Sequence, residues 1–165
     1  MCTQGGDSII IDDNKFNMSG SPLNSSGLSN LFRGTSTCNS RGYYATWRIY
    51  NKELYLIELT GQFAQEPKRS GTKPIRLSDY AGPYCNAMAK LFPNQTMVSA
   101  DWFTGEIIVP NPRLLHSINR FDSKSEEDTV YEFIKGFLVN RKVVKNDLSG
   151  YELDKWINLY DDGEI

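Results

Sequence analysis

YYATWRIYNKELYLIEL, residues 43–59, has the form of a β-hairpin. Two runs rich in β-branched and aromatic residues flank the polar turn Asn51-Lys52-Glu53, and side chains of those types favour extended strands. Side chains alternate between the two faces of a strand, and in residues 54–59 both faces carry apolar groups. The second strand is therefore expected to be central in a sheet and covered on both sides.

Three further pairs of strand-like runs surround this hairpin in the sequence. They are residues 8–11 with 15–18, residues 98–103 with 106–109, and residues 130–134 with 137–139. Each pair is joined by a short polar or glycine-containing turn, which is typical of a hairpin. The charged run 141–145 either extends the last hairpin or begins an edge strand, where charges discourage sheet-to-sheet association.

Two segments carry helical signals. Residues 83–92 begin with a proline, which is tolerated at the first helical position, and place apolar residues at helical spacing. Near the carboxyl end, Ser149 and Glu152 form a capping box that predicts a helix over residues 149–162. Residues 19–40, rich in Ser, Gly and Asn, and residues 61–79, which contain a basic cluster, are predicted to be long loops.

These elements together predict the fold class. With 165 residues the chain fits one domain, residues 1–165, and is long enough to bury a core without metal or disulfides. We expect an α+β domain that is predominantly antiparallel β, built as a curved sheet of hairpins with two short helices packed on it. The sheet is expected to be barrel-like or a sandwich.

The charge is divided unevenly along the chain. Residues 121–165 contain 11 acidic and 6 basic side chains, which gives this part a net charge of −5. The rest of the chain contains 9 acidic and 12 basic side chains and has a net charge of +3. A protein that binds duplex nucleic acid is normally basic overall, whereas this chain has a net charge of −2. Duplex nucleic acid is therefore not an expected partner.

Cysteine and histidine usage gives no sign of a metal or cofactor site. The three cysteines have unrelated spacings without a Cys-x-x-Cys pair, and there is one histidine in the chain. Reduced thiols favour a cytoplasmic location. The amino terminus has neither the positive nor the apolar segment of a signal peptide, and no apolar run approaches the roughly 20 residues that span a bilayer. No membrane partner is expected.

A longer pattern carries a resemblance. Residues 41–49 read RGYYATWRI, residues 54–57 read LYLI, and residues 100–110 read ADWFTGEIIVP. This pattern resembles a family of small uncharacterised bacterial and prophage proteins with no assigned activity. The resemblance implies a shared β-rich fold and a bacterial, prophage or mobile-element origin, and it brings no catalytic residue. After Pro110 the chain departs from the pattern.

Within and beside this pattern lie six candidate residues for binding a ligand or partner. They are Arg41, Tyr43, Asp101, Trp102, Phe103 and Arg113. Because a carboxylate among aromatic residues must be exposed or hydrogen-bonded, Asp101 is expected to cap a turn, to pair with Arg41 or Arg48, or to accept a ligand's hydroxyl, amine or guanidinium. Most aromatic residues between 43 and 55 are expected in the core, with one or two on an open face that stacks a base or anchors a protein.

Two functions fit these observations. The first is a non-catalytic binding protein of bacterial conflict, either an immunity protein or a phage-encoded inhibitor, whose acidic surface would steer it to a basic effector protein. The alternative is a protein that binds or sequesters a nucleotide signal, with Tyr43, Trp102 and Phe103 stacking the base and Arg41 and Arg113 on phosphate. An enzyme is not expected, no cofactor is predicted, and a homodimer formed through an edge strand or the last helix stays open.

Overall fold

The computed structural model describes residues 6–35, 39–67, 71–119 and 122–149. The strands in this part of the chain are β1 (Ser8–Ile11), β2 (Asn14–Asn17), β3 (Tyr43–Tyr50), β4 (Glu53–Ala64), β5 (Ala81–Asn86), β6 (Val98–Ser99), β7 (Gly105–Pro110), β8 (Leu115–Asn119), β9 (Asp122–Ser125), β10 (Glu127–Ile134) and β11 (Phe137–Lys145). One α-helix, α1 (Ala87–Leu91), and 3₁₀ turns at Pro22–Ser26, Leu28–Leu31, Leu77–Tyr80 and Pro112–Leu114 complete the described structure.

Nine of these strands form one mixed sheet with the order β2-β1-β3-β4-β11-β10-β7, in which β5 and β6 also pair with β4. All pairs are antiparallel except β1 with β3. A single bridge between Ser19 and Ile108 brings the two ends of this order together, but β2 and β7 form no ladder, so the described sheet is not closed into a barrel. β8 and β9 form a separate pair. The expected β-rich, mainly antiparallel fold is confirmed.

The hairpins that depend on local sequence form as predicted. β3 pairs with β4 around Asn51 and Lys52, both of which have positive φ angles. β1 pairs with β2, and β10 pairs with β11 around Lys135-Gly136. β4 is longer than expected, and it is central in the sheet because it pairs with four strands, β3, β5, β6 and β11.

The predicted hairpin over residues 98–109 is wrong. Val98 and Ser99 pair with Leu56 and Tyr55 of β4, whereas β7 pairs with β10. The chain turns between the two runs, because the Phe103 backbone N–H donates to the Ala100 carbonyl at 3.0 Å. Two strands that look like one hairpin in the sequence therefore join different neighbours.

The predicted helix over residues 83–92 is also wrong for its first half. Residues 81–86 form β5, which pairs with β4 on one edge, and Pro83 is tolerated there because the other edge carries no ladder among the described residues. The helix begins only at Ala87, where the Asn86 side chain caps it by accepting the Ala89 N–H at 3.1 Å.

The long predicted loops are partly structured. β4 continues to Ala64, and the 3₁₀ turn Leu77–Tyr80 lies within the expected loop 61–79. The expected loop 19–40 contains two 3₁₀ turns and supplies Leu23 and Phe32 to the core. The predicted helix over residues 149–162 lies outside the described residues except for Ser149.

The core is built on one face of β3 and β4. Tyr43, Ala45 and Trp47 alternate along β3 and are buried, and Leu54 and Leu56 of β4 are fully buried beside them. Phe103 and Phe133 extend this core towards β10, with ring centroids 5.9 Å apart. On the opposite face of β3, Tyr44, Arg48 and Tyr50 lie at the surface, whereas Thr46 is buried.

Candidate functional site: the outer face of the sheet

The surface-facing side chains of β3 are largely aromatic. Strand alternation sends Tyr44, Arg48 and Tyr50 away from the core, and Tyr44 and Tyr50 are 39% and 51% exposed. The sequence-based expectation that most aromatic residues in this run lie in the core is wrong. Only Tyr43 and Trp47 are buried, because strand alternation and the register of β4 with β3 place Tyr44, Tyr50 and Tyr55 on the opposite side.

β4 adds to this surface through its register with β3. Tyr55 lies opposite Arg48, and Glu53 lies opposite Tyr50. The Tyr55 hydroxyl donates to a Glu53 carboxylate oxygen at 2.7 Å, and this hydrogen bond raises the pKa of Tyr55. Arg48 lies 5.8 Å from the centre of the Tyr50 ring and 3.3 Å from a carboxylate oxygen of Asp13.

The surface continues across two further strands. Phe137 of β11 is in register with Glu53, and Ile134 of β10 is in register with Phe137. Paired residues point to the same side of a sheet, so Tyr50, Glu53, Phe137 and Ile134 form one row across four strands, which we call the outer row. Phe137 and Ile134 are 54% and 53% exposed. With Tyr44, Arg48 and Tyr55, the outer row makes up what we call the outer face.

The backbone beneath the outer row is held by hydrogen bonds. The Leu54 N–H donates to the Gly136 carbonyl and the Leu138 N–H donates to the Lys52 carbonyl, both at 2.8 Å. The Gly136 N–H also donates to the Phe103 carbonyl at 2.8 Å. Exposed apolar side chains are therefore presented on a fixed scaffold rather than on a free loop.

Cavities lie elsewhere on the molecule. One of about 900 Å³ adjoins Lys73, Arg76 and Asp79, and another of about 400 Å³ lies between Phe16 and Pro112. A third of about 730 Å³ lies beside α1. No residue of the outer face lines any of the three, so the outer face is suited to a flat partner rather than to an enclosed small ligand.

Two of the six sequence-predicted residues belong to a buried polar cluster. Arg41 lies over the Tyr43 ring at 4.2 Å from its centre and donates to the Tyr43 carbonyl at 3.2 Å. An Arg41 guanidinium nitrogen is 2.9 Å from a carboxylate oxygen of Asp7, and the other Asp7 oxygen accepts the Trp47 indole N–H at 3.0 Å. Tyr43 is buried, and that burial raises its pKa. The cluster holds the start of β1 against β3.

Asp101 does not pair with either expected arginine. It lies exposed in the turn after Ala100, while Arg41 is engaged by Asp7 and Arg48 by Asp13. The sequence could not show this because Asp7 is separated from Arg41 by more than thirty positions and because Asp13 belongs to a turn of another hairpin.

The remaining predicted residues are dispersed. Trp102 is half-buried, donates its indole N–H to the Pro22 carbonyl at 2.9 Å and contacts Trp47 edge-on. Phe103 is buried, and Arg113 is exposed in the 3₁₀ turn after β7. The expected nucleotide site needs Tyr43 and Phe103 on an open face, and both lie in the core.

Sequence reasoning missed two members of the outer row, Phe137 and Ile134. Their signal was present: they flank the Lys135-Gly136 turn, and the two residues that flank a hairpin turn point to the same side. The sequence does not show that β11 pairs with β4, and this pairing places Phe137 and Ile134 beside Tyr50.

Neither a metal cluster nor a membrane helix is found in the described part of the chain. Residues 6–35, 39–67, 71–119 and 122–149 contain no group of three or more His, Cys, Asp or Glu side chains placed to hold a metal ion. Within the same ranges, helices fall short of the length and apolar character needed to cross a bilayer.

Comparisons with known proteins add no relative. The sequence matches no protein-family model, and no curated protein or solved structure is significantly similar to the chain.

Proposed function

We propose that this chain is a non-catalytic binding protein that recognises another protein through its outer face. The observation that carries this proposal is the outer row, in which Tyr50, Phe137 and Ile134 each leave about half of their surface exposed on a hydrogen-bonded sheet.

Residue types support a protein partner. Tyrosine and arginine are enriched among the residues that dominate protein–protein binding energy, and exposed contiguous apolar side chains mark interaction surfaces. Arg48 lies between Tyr50 and Asp13, so its guanidinium is already oriented over a ring before a partner arrives. Preorganised side chains lose less conformational entropy on binding than free ones do.

The biological setting of the proposal comes from the sequence. The family resemblance points to bacterial and prophage proteins, and the acidic residues between 121 and 165 would favour encounter with a basic protein. We therefore propose an immunity protein or phage-encoded inhibitor whose target is an effector protein.

The test compares variants of the full chain in affinity capture. Immobilised wild type is used to retain candidate effectors encoded near its gene, at low salt, and each hit is then measured with purified components. The double variant Tyr50→Ala and Phe137→Ala removes two rings of the outer row. Leu77→Ala is the matched control, because Leu77 is 61% exposed and lies outside the outer face.

We expect the double variant to lose at least tenfold in affinity and the Leu77→Ala variant to bind like wild type. Equal binding by all three proteins would show that the outer row is not the interface. Failure of every candidate to bind the wild type would count against the proposed function itself.

A further inference from the structure

Among the residues that the structure describes, β11 has one fully paired edge and one edge that is open along most of its length. It pairs with β10 from end to end, from Phe137 opposite Ile134 to Lys145 opposite Glu127. Its other edge pairs with β4 only at Phe137, next to the hydrogen bond from the Leu138 N–H to Lys52. Beyond that point β11 runs past the β3–β4 turn, and no other described strand pairs with residues 139–145.

The open edge is apolar as well as exposed. Val139 and Val143 are 54% and 48% exposed, and Val144 is also exposed. Val139 is the extra residue at a bulge, since the register shifts there from Glu132 opposite Asn140 to Phe133 opposite Leu138. An edge strand protected only by charge would not carry three exposed valines.

The far end of this edge is anchored. The Asn146 N–H donates to the Glu126 carbonyl, and its side-chain amide donates to the Ser125 carbonyl at 2.9 Å and to an Asp128 carboxylate oxygen at 2.8 Å. With the first residues of β11 fixed on β4, both ends of the strand are held. The open backbone groups between them are therefore prepared for pairing at low entropic cost.

The charged side chains of β11 determine which side chains are favourable on a strand that pairs with it. Arg141, Lys142 and Lys145 are its only charged residues. Directly opposite like charges destabilise a strand pair, so a second copy of β11 is a poor match, whereas acidic side chains opposite these cations are favourable. Lys142 already contacts Glu132 of β10 at 3.1 Å, which shows that this strand accepts carboxylate neighbours.

We propose that β11 accepts an added β-strand from the partner protein, and that this strand alternates acidic and apolar side chains. The inference rests on the proposed function, because it specifies how the same partner binds, and the open edge begins at Val139, two residues after Phe137 of the outer row. Main-chain hydrogen bonds would supply the affinity, and the valines and cations of β11 would supply the preference for sequence.

The test uses a short peptide of alternating valine and glutamate with the full chain at low salt. Backbone amide chemical shifts and amide hydrogen exchange are followed by NMR spectroscopy. Two control peptides carry either lysine in place of glutamate or N-methyl groups on alternate amides, which block strand pairing. The protein variant Arg141→Glu with Lys145→Glu reverses the charge of the edge, and Lys135→Glu in the exposed turn of the same hairpin is a charge-reversal control outside the edge.

We expect the glutamate peptide to shift amides of residues 139–145 and to protect those that are not already bonded to β10, and the N-methylated peptide to do neither. Charge reversal at positions 141 and 145 should lower the affinity for the glutamate peptide roughly tenfold and raise the affinity for the lysine peptide. Lys135→Glu should change neither affinity much. Equal binding of the N-methylated peptide, or shifts confined to other residues, would overturn the proposal.

Measurements on the free protein complete the test. Alternate amides of residues 139–145 bond to β10, so the test follows the remaining amides of this segment, and their fast exchange in the free monomer supports an open edge. Protection of these remaining amides that is independent of concentration would mean that another part of this chain covers β11, and protection that rises with concentration would mean that a second copy does; either result overturns the proposal. The peptide experiment does not involve Tyr50. A negative peptide result would therefore leave the capture result for the outer row unchanged, and the two failures can be told apart.

Discussion

Asp7 illustrates what a single residue does in this fold. Its side chain is fully buried and receives the Trp47 indole N–H and the Arg41 guanidinium, which joins the chain before β1 to β3. A carboxylate without such partners would be too costly to bury. The sequence showed Arg41 and Trp47 as notable residues, but their common partner is an ordinary aspartate in a glycine- and serine-containing stretch, and no local pattern marks it.

Replacing Asp7 is therefore expected to be costly. Asp7→Ala leaves the guanidinium and the indole N–H without their acceptor, and we expect a loss of about 3 kcal/mol in the free energy of unfolding, measured by urea denaturation. Asp13→Asn is the control, because the ion pair of Asp13 with Arg48 is exposed and is expected to contribute less than about 1 kcal/mol, and asparagine tolerates the left-handed backbone of this position. Similar losses for both variants would contradict a special role for the buried pair.

Tyr43 gives a prediction for alkaline pH. Its pKa is raised, chiefly by burial, so the folded state holds the phenolic proton more tightly than the unfolded chain does. The associated stability is fully present below the ordinary tyrosine pKa and is lost as pH rises through the raised pKa. We expect Tyr43→Phe to remove one tyrosine that titrates above the ordinary range from the absorbance titration of the folded protein; an unchanged titration in that range would contradict a raised pKa at Tyr43.

Among the elements, those fixed by local sequence were predictable and those fixed by distant partners were not. The β3–β4 and β10–β11 hairpins carry their own turns and alternation, and both form. Residues 83–92 have helical spacing, but β4 offers backbone partners to residues 81–86, and this pairing overrides the local preference. Residues 98–99 join β4 for the same reason.

The β10–β11 turn also provides a test of a close approach between elements. Gly136 has a φ of +82°, and a Cβ there would lie 2.6 Å from the Ala100 carbonyl oxygen. Gly71 has a φ of +60° with open space around it. Both alanine substitutions incur the cost of a left-handed backbone, about 1 kcal/mol. Gly136→Ala should cost clearly more in denaturant unfolding, and equal costs would show that the contact with Ala100 relaxes freely.

In the whole molecule, β3 contributes to the core through one face and to the exposed surface through the other. Its inward side chains, together with Leu54 and Leu56, fill the core, and its outward side chains begin a surface that continues to β11 and β10. The core face could be predicted from the alternation of residues 43–50. The extent of the exposed surface could not, because Phe137 and Ile134 lie beside Tyr50 only through pairing between residues more than eighty positions apart.

Because one face of the sheet forms the core and the other is exposed, substitutions on the two faces should have different effects on stability and binding. Leu54→Ala creates a cavity in the core and should lower the free energy of unfolding by about 2–5 kcal/mol, as judged by denaturant unfolding. Tyr50→Ala removes an exposed ring and should change stability by no more than about 0.5 kcal/mol, yet it should weaken binding of an effector identified by capture by about 2 kcal/mol. If Tyr50→Ala instead unfolds the protein as readily as Leu54→Ala does, the exposed ring is part of the scaffold, and the case for recognition through the outer face fails.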